Sequence, residues 1–144
     1  MKTIVFYSKT GNTKTVAKEI AQKLNIESLE IIASSDDPNQ IRVTLLESPD
    51  LTSFDDVILG SPVHGFSIPK IMRSYLDSFQ NFKDKTFYLF VTHYFPFPFL
   101  GGNQCLKQIK KLIESKQGTV KHMASIEWKS KKKDIKIRTF IERI

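Results

Sequence analysis

The chain has 144 residues, 22 Lys and Arg against 15 Asp and Glu for a formal net charge of +7, and a single cysteine, Cys105. That length supplies one core and not two, one cysteine excludes an internal disulfide framework, and no uninterrupted apolar run approaches the length needed to span a bilayer. The chain reads as a single domain over residues 1–144 with no segment laid out as a signal peptide, expected in a reducing cytoplasm and without membrane insertion.

The apolar run Thr3-Ile4-Val5-Phe6-Tyr7 is patterned as a strand buried on both faces. It stops at Ser8-Lys9-Thr10-Gly11-Asn12-Thr13, after which a helix is predicted to Leu24: Val16, Ala17, Ile20, Ala21 and Leu24 recur at helical spacing while Lys14, Lys18, Glu19 and Lys23 face water. A turn of small hydroxyl residues with one glycine leaves N–H groups and hydroxyls free to point at one spot, and the helix adds its positive end. That suits a phosphate. The spacing of neither a nucleotide-triphosphate P-loop nor a dinucleotide turn is present, so one terminal phosphate fits best, with Lys9 facing solvent.

A short strand is expected at Leu29–Ile32, then a weakly patterned stretch from Ser34 to Asp55, punctuated by Pro38 and Pro49, with a short helix near Asn39–Leu46. Asp56-Val57-Ile58-Leu59 returns to a buried-strand pattern, and the glycines and proline of Gly60-Ser61-Pro62-Val63-His64-Gly65-Phe66 are expected to stop it. Ser67 reads as an N-cap with Pro69 in the first turn of a helix to Phe79 that buries Ile68, Ile71, Met72, Tyr75, Leu76 and Phe79. Phe87–Val91 is the most apolar strand and should be central.

The segment Thr92-His93-Tyr94-Phe95-Pro96-Phe97-Pro98-Phe99-Leu100-Gly101-Gly102 is too proline-rich for a strand and too aromatic for a freely solvated loop. Its rings from Phe95 to Leu100 need cover, as a substrate wall, as a homodimer contact or by packing over a ligand. A helix from Asn103 to Lys116 follows, burying Leu106, Ile109, Leu112 and Ile113 and closed by Gly118. Alternation over Val120–Trp128 gives an edge strand, Ser130–Lys133 a charged turn, and Asp134 a cap for a last helix carrying Ile137, Phe140, Ile141 and Ile144.

Strands alternating with helices mean an α/β domain: a parallel sheet of five strands, order 2-1-3-4-5, with helices on both faces. Its switch point lies between the first and third strands, where the Ser8, Gly60 and Thr92 loops would meet beyond the strands' carboxyl ends. One loop is phosphate-shaped, one allows close backbone approach and one is aromatic. A phosphate joined to a flat apolar ring system would fill all three.

The Ser-x-Thr-Gly-Asn-Thr loop, the Gly-Ser-Pro-x-x-Gly-Phe run before a Pro-containing helix, and the Gly101-Gly102-Asn103 start of the next helix together resemble the three cofactor loops of flavodoxins. The resemblance covers nearly the whole chain. It implies a flavodoxin-like three-layer sandwich and FMN as cofactor, with Ser8, Thr10, Gly11, Asn12 and Thr13, and Lys9 beside them, at the phosphate. Ser61, Pro62, Val63, His64, Gly65 and Phe66 would pass along the flavin edge, with Gly65 the glycine whose peptide reorients on reduction. Thr92, His93, Tyr94 and Gly101 would flank the pyrimidine side, Tyr94 being the ring to stack.

The chain departs from the family in charge. Flavodoxins are typically acidic; here residues from Lys107 onward hold 12 basic against 4 acidic side chains, and residues 1–106 hold 10 against 11. With no acidic residue in the third loop, a less negative reduced-flavin potential is expected. The leading function is an electron carrier between redox partners, either a redox protein or a small donor or acceptor. The alternatives are a small NAD(P)H-dependent FMN or quinone reductase, and a flavin-free module acting through its basic C-terminal surface. No aromatic-and-basic platform for nucleic acid is evident. His64, His93 and His122 lack metal-ligand spacing, Cys105 reads as a small buried residue, and no nucleophile triad or phospho-acceptor aspartate is suggested.

Overall fold

The computed structural model describes residues 1–65, 67–94 and 101–144. Along the chain lie β1 (Lys2–Phe6), α1 (Asn12–Leu24), β2 (Ser28–Glu30), β3 (Ile32–Ala33), β4 (Leu45–Glu47), β5 (Asp56–Pro62), α2 (Lys70–Asp77), β6 (Thr86–His93), α3 (Gly102–Ser115), β7 (Thr119–Glu127) and α4 (Lys133–Glu142). The main sheet has five strands in the order β2-β1-β5-β6-β7, all pairings parallel. In sheet-strand numbering this is the expected 2-1-3-4-5, with the reversal between β1 and β5.

Successive strand residues point to opposite faces, so a doubly covered sheet sends every second apolar residue to a different core. Ile4, Phe6, Ile58, Tyr88 and Phe90 pack with Val16, Ala17 and Ile20 of α1 and Ile137 and Phe140 of α4. Val5, Tyr7, Val57, Leu59, Phe87, Leu89 and Val91 pack with Ile71, Met72, Tyr75 and Leu76 of α2 and Cys105, Leu106, Ile109 and Ile113 of α3. Two cores on one sheet make the three-layer sandwich. The outermost strand β7 alternates exposed and half-buried positions through Ala124, as the sequence predicted for an edge. Among the described residues, no helix is long and apolar enough to cross a membrane.

Several local expectations are corrected. Residues Asn39–Leu46 form no helix; β3 and β4 pair antiparallel instead, Ile32 with Glu47 and Ala33 with Leu45. The long connection containing them is pinned by Tyr75, whose hydroxyl donates to the Pro49 carbonyl at 2.7 Å, and by Lys85, whose Nζ donates to the carbonyls of Leu51 and Phe54. Gly60 does not end its strand. β5 runs on to Pro62, and a Cβ at Gly60 would lie 2.2 Å from the ring of its register neighbour Phe90, so the glycine makes room for that ring. β6 is interior but the middle position belongs to β5.

The helix ends differ too. Pro69, in extended conformation, occupies the cap position of α2, which stops at Asp77; Ser67 is used in a turn described below. Gln117, at φ 73°, takes the left-handed position after α3, while Gly118 is required for space, since its Cβ would meet Ile113 at 2.5 Å. Asp134 lies inside the first turn of α4 rather than capping it.

Candidate functional site

Three chain crossings meet at the carboxyl ends of β1, β5 and β6. The Tyr7 N–H donates to the Gly60 carbonyl at 3.1 Å, holding the first and second crossings together. The hydroxyls of Thr13 and Thr92, both buried, are 2.8 Å apart and join the first to the third.

The first crossing is organised by Ser8, whose Oγ accepts the N–H groups of Gly11 at 3.1 Å and Lys14 at 3.2 Å. Gly11 has φ 97°, a conformation glycine adopts without the Cβ penalty, and its carbonyl receives the Thr15 N–H. The N–H groups of Thr10, Asn12 and Thr13 then donate to no acceptor among the described residues. Three such donors at the start of a 13-residue helix can hold an anion, as a cradle. The Thr13 hydroxyl is engaged with Thr92, so that residue offers its backbone, and the Asn12 amide donates to the Tyr94 hydroxyl at 2.8 Å.

In the second crossing, Ser61 is buried and its hydroxyl donates to the Pro62 carbonyl. His64 and Ser67 exchange backbone bonds in both directions, at 3.0 and 2.9 Å, closing a turn in which Gly65 sits at φ 53°. Gln108 of α3 accepts the Ile68 N–H and anchors the turn from behind. Phe66 lies outside the described residues.

His64 meets Tyr7 edge-on, ring centroids 6.0 Å apart, and the Tyr7 hydroxyl donates to Asp36 at 3.1 Å. Burial, with the Lys9 charge adding to it and Asp36 opposing, holds the His64 imidazole below its ordinary 6.5. Its Nε2 is buried with no hydrogen-bond partner among the described residues. Burial, reinforced by Asp36, pushes the Tyr7 phenol upward, so it stays a donor.

In the third crossing, Nε2 of the buried His93 is 2.8 Å from the Ser125 hydroxyl, and its carbonyl accepts the Trp128 N–H at 2.8 Å. Tyr94 is half exposed. Gly101 is buried and occupies the cap position before α3, its carbonyl accepting the Cys105 N–H; a Cβ on Gly102 would lie 2.0 Å from the Ser125 hydroxyl. Cys105 is fully buried and its thiol is pushed up to about 12 by desolvation, which fits a core residue and not a reactive one. The segment Phe95–Leu100, expected to form a wall or a dimer contact, lies outside the described residues.

Lys9, Thr10, Asn12, Pro62, Val63, His64, Gly65, Thr92, His93 and Tyr94 line one cavity of about 240 Å³. Of the other predicted site residues, Ser8 and Gly11 shape the first loop, Thr13 brings its backbone N–H, Ser61 lies in β5 and Gly101 occupies the cap position before α3. Lys9 is exposed, as expected, and also stands on the cavity lip. No described lining residue is acidic. The cavity has N–H donors at one end and proline, valine and aromatic walls at the other, a shape for a group that is anionic at one end and flat and apolar beyond. A larger cavity of about 340 Å³ between β7 and α4, lined by His122, Met123, Ile135 and Arg143 among others, holds none of the predicted residues.

Sequence reasoning missed Tyr7, Asp36 and Ser125. In the sequence Tyr7 reads as the last strand residue and Ser125 as one position in an edge strand, and Asp36 falls in the weakly patterned stretch. Only the position of Tyr7, one residue before the hydroxyl loop, carried a signal.

A family model described as a flavodoxin domain matches residues 3–124. No curated protein matches the chain. Among solved structures, a flavoprotein in complex with FMN from Lactobacillus acidophilus NCFM superposes with a TM-score of 0.70 at 17% identity, over 96% of this chain and 97% of that one. Oxidised flavodoxin 2 from Bacillus cereus gives 0.72 at 16%, over 99% and 97%. The Streptococcus pneumonia TIGR4 flavodoxin gives 0.68 at 17%, over 99% and 95%. At such identities the superpositions establish the fold.

Proposed function

Since the chain belongs to the flavodoxin family, we propose that it binds FMN in the cavity at the switch point and carries electrons between redox partners. The observation that carries this reading is the cradle: three N–H groups, from Thr10, Asn12 and Thr13, with no acceptor among the described residues, at a helix start beside a cavity whose far walls are apolar and aromatic. That combination fits a ribityl phosphate and a flat ring. Bound FMN supplies the redox chemistry, taking up and releasing electrons at its ring.

The protein's part is binding and field. Ser8 holds the first loop in shape through its two accepted hydrogen bonds, and the cradle N–H groups meet the phosphate. Pro62, Val63, His64 and Gly65 form the wall along the ring edge, with the open Nε2 of His64 available as a hydrogen-bond partner to a ring heteroatom. Gly65 lies in a left-handed conformation inside a two-bond turn, so its peptide can rotate without dragging a side chain. Tyr94, positioned by Asn12, covers the opposite side, and Thr92 ties both loops to one strand end.

Purified protein is expected to show the visible bands of oxidised flavin, or to acquire them and quench FMN fluorescence on titration. A colourless protein that leaves FMN fluorescence unchanged overturns the reading. Addition of NADH or NADPH to the loaded protein then separates roles: a carrier stays yellow, and rapid bleaching would identify a reductase.

A further inference from the structure

Resting on the reading of the cavity as an electron-transferring flavin site, we propose that the turn after β7 and the start of α4 form the docking surface for an acidic protein partner. Lys129, Lys131, Lys132 and Lys136 are exposed, and Nζ of the half-buried Lys133 lies 4.0 Å from the centroid of the Trp128 ring. Among the described residues the ion pairs are Met1 with Asp55 and Lys14 with Glu30, so none of these five lysines is neutralised by a carboxylate within 4.0 Å. On the turn and the first turns of α4 these lysines lack a carboxylate partner and, with Lys136 Nζ donating to the Ser125 carbonyl at 3.1 Å, the others hold a positive field outward from the protein.

Their place is what gives the field a use. The Trp128 N–H bonds the His93 carbonyl at 2.8 Å, which fastens the turn to the end of β6, and Lys129 Nζ sits 5.7 Å from the ring centroid of Tyr94 on the cavity wall. A partner held by these lysines is held at the cavity mouth, where electron exchange needs it. Opposite charge also raises the encounter rate and orients the approach of a redox partner.

The occupant is a protein face and not a free phosphate or a nucleic acid. The lysines stand on a turn and on the outside of a helix, and the concavity beside them, lined by Glu19, Trp128, Lys133 and Asp134, carries two carboxylates that repel a phosphate. The Trp128 ring is already covered by Lys133, which removes it as a stacking platform for a base. Several carboxylates spread over a protein surface can meet the lysines one at a time.

The test is an amide-shift titration of the ¹⁵N-labelled protein, with and without FMN, against three probes: cytochrome b5 as an acidic haem protein, cytochrome c as a basic one, and a short DNA duplex. Cytochrome b5 is expected to move the amides of residues 128–136 and Tyr94, with binding about tenfold weaker or more in roughly 0.5 M salt. The triple variant K129Q/K131Q/K132Q, at exposed positions, should weaken it about tenfold again while leaving the circular dichroism unchanged. No shifts at the turn, shifts centred on the α3 lysines Lys107, Lys110 and Lys111, or equal binding by cytochrome c or DNA overturns the proposal. Shifts at the turn in a protein that takes up no FMN would sink the cofactor reading and leave the acidic docking face standing.

Discussion

The hydroxyls of Thr13, on the first turn of α1, and Thr92, near the end of β6, form a buried hydrogen bond of 2.8 Å across 79 residues of sequence. Their contact sets how the anion cradle stands relative to the third loop. Replacing Thr92 with Val keeps the shape and leaves the Thr13 hydroxyl buried without its partner, so a loss of about 1–3 kcal/mol is expected in urea unfolding. The double variant Thr13→Val with Thr92→Val should cost less than the two single losses added together, because no orphaned hydroxyl remains. Strict additivity would show that the pair is not coupled.

Gly60 and Gly11 should respond to alanine for different reasons. At Gly60 the new methyl would overlap the Phe90 ring while the backbone is held in the sheet on both sides, so Gly60→Ala should cost about 1–3 kcal/mol of stability or more. At Gly11 nothing lies within 4 Å of the new atom, but φ 97° strains any residue with a Cβ. A stability loss of about 1–2 kcal/mol is expected there, with a marked loss of FMN affinity as the cradle N–H groups turn away. Wild-type affinity in Gly11→Ala would remove the cradle from the binding site.

The imidazole of His64 titrates below 6.5 in the folded protein, chiefly because it is buried, with Lys9 adding to the effect. Between the folded and unfolded values the unfolded chain binds more protons, so stability is fullest above about pH 6.5 and falls as the pH drops through that window. His64→Gln should flatten this part of the stability profile measured by urea unfolding from pH 5 to 8. An NMR titration placing His64 above 6.5 would reverse the sign and refute the assignment.

Lys9 is the charged side chain among the described cavity residues, and reduction adds negative charge to a bound flavin. A less negative reduced-flavin potential than that of acidic flavodoxins is therefore expected in a spectroelectrochemical titration. Lys9→Glu should lower it by tens of millivolts, the size a surface charge produces at high effective dielectric. An unchanged potential would place Lys9 outside the flavin's field.

Much of this architecture is written locally. The runs Thr3–Tyr7 and Phe87–Val91 are apolar at every position or nearly so because both faces of the sheet are covered, and the helical spacing of Val16, Ala17 and Ile20 follows from one face meeting it. Strand order and the meeting of three loops followed from alternation of strand and helix. The hydroxyl loop was legible because a turn that frees N–H groups needs small residues and a glycine with positive φ, and Gly11 has one.

What the tertiary structure decided are the features that depend on a partner distant in sequence. Gly60 resembles a strand stop until the Phe90 ring is seen above it. Residues 39–46 have weak patterning of either kind, and pairing between β3 and β4 selected extended chain over the expected helix. Ser67 resembles a cap, yet its backbone is committed to His64 in the adjacent turn. Tyr7 with Asp36, and His93 with Ser125, are set by contacts across 29 and 32 residues that no local spacing encodes. The sequence by itself determines the strongly patterned strands and helices and the glycine turn after β1, since these depend on neighbours within a few residues. Packing decides which hydroxyl, imidazole or lysine reaches the cavity, since that depends on where the chain returns.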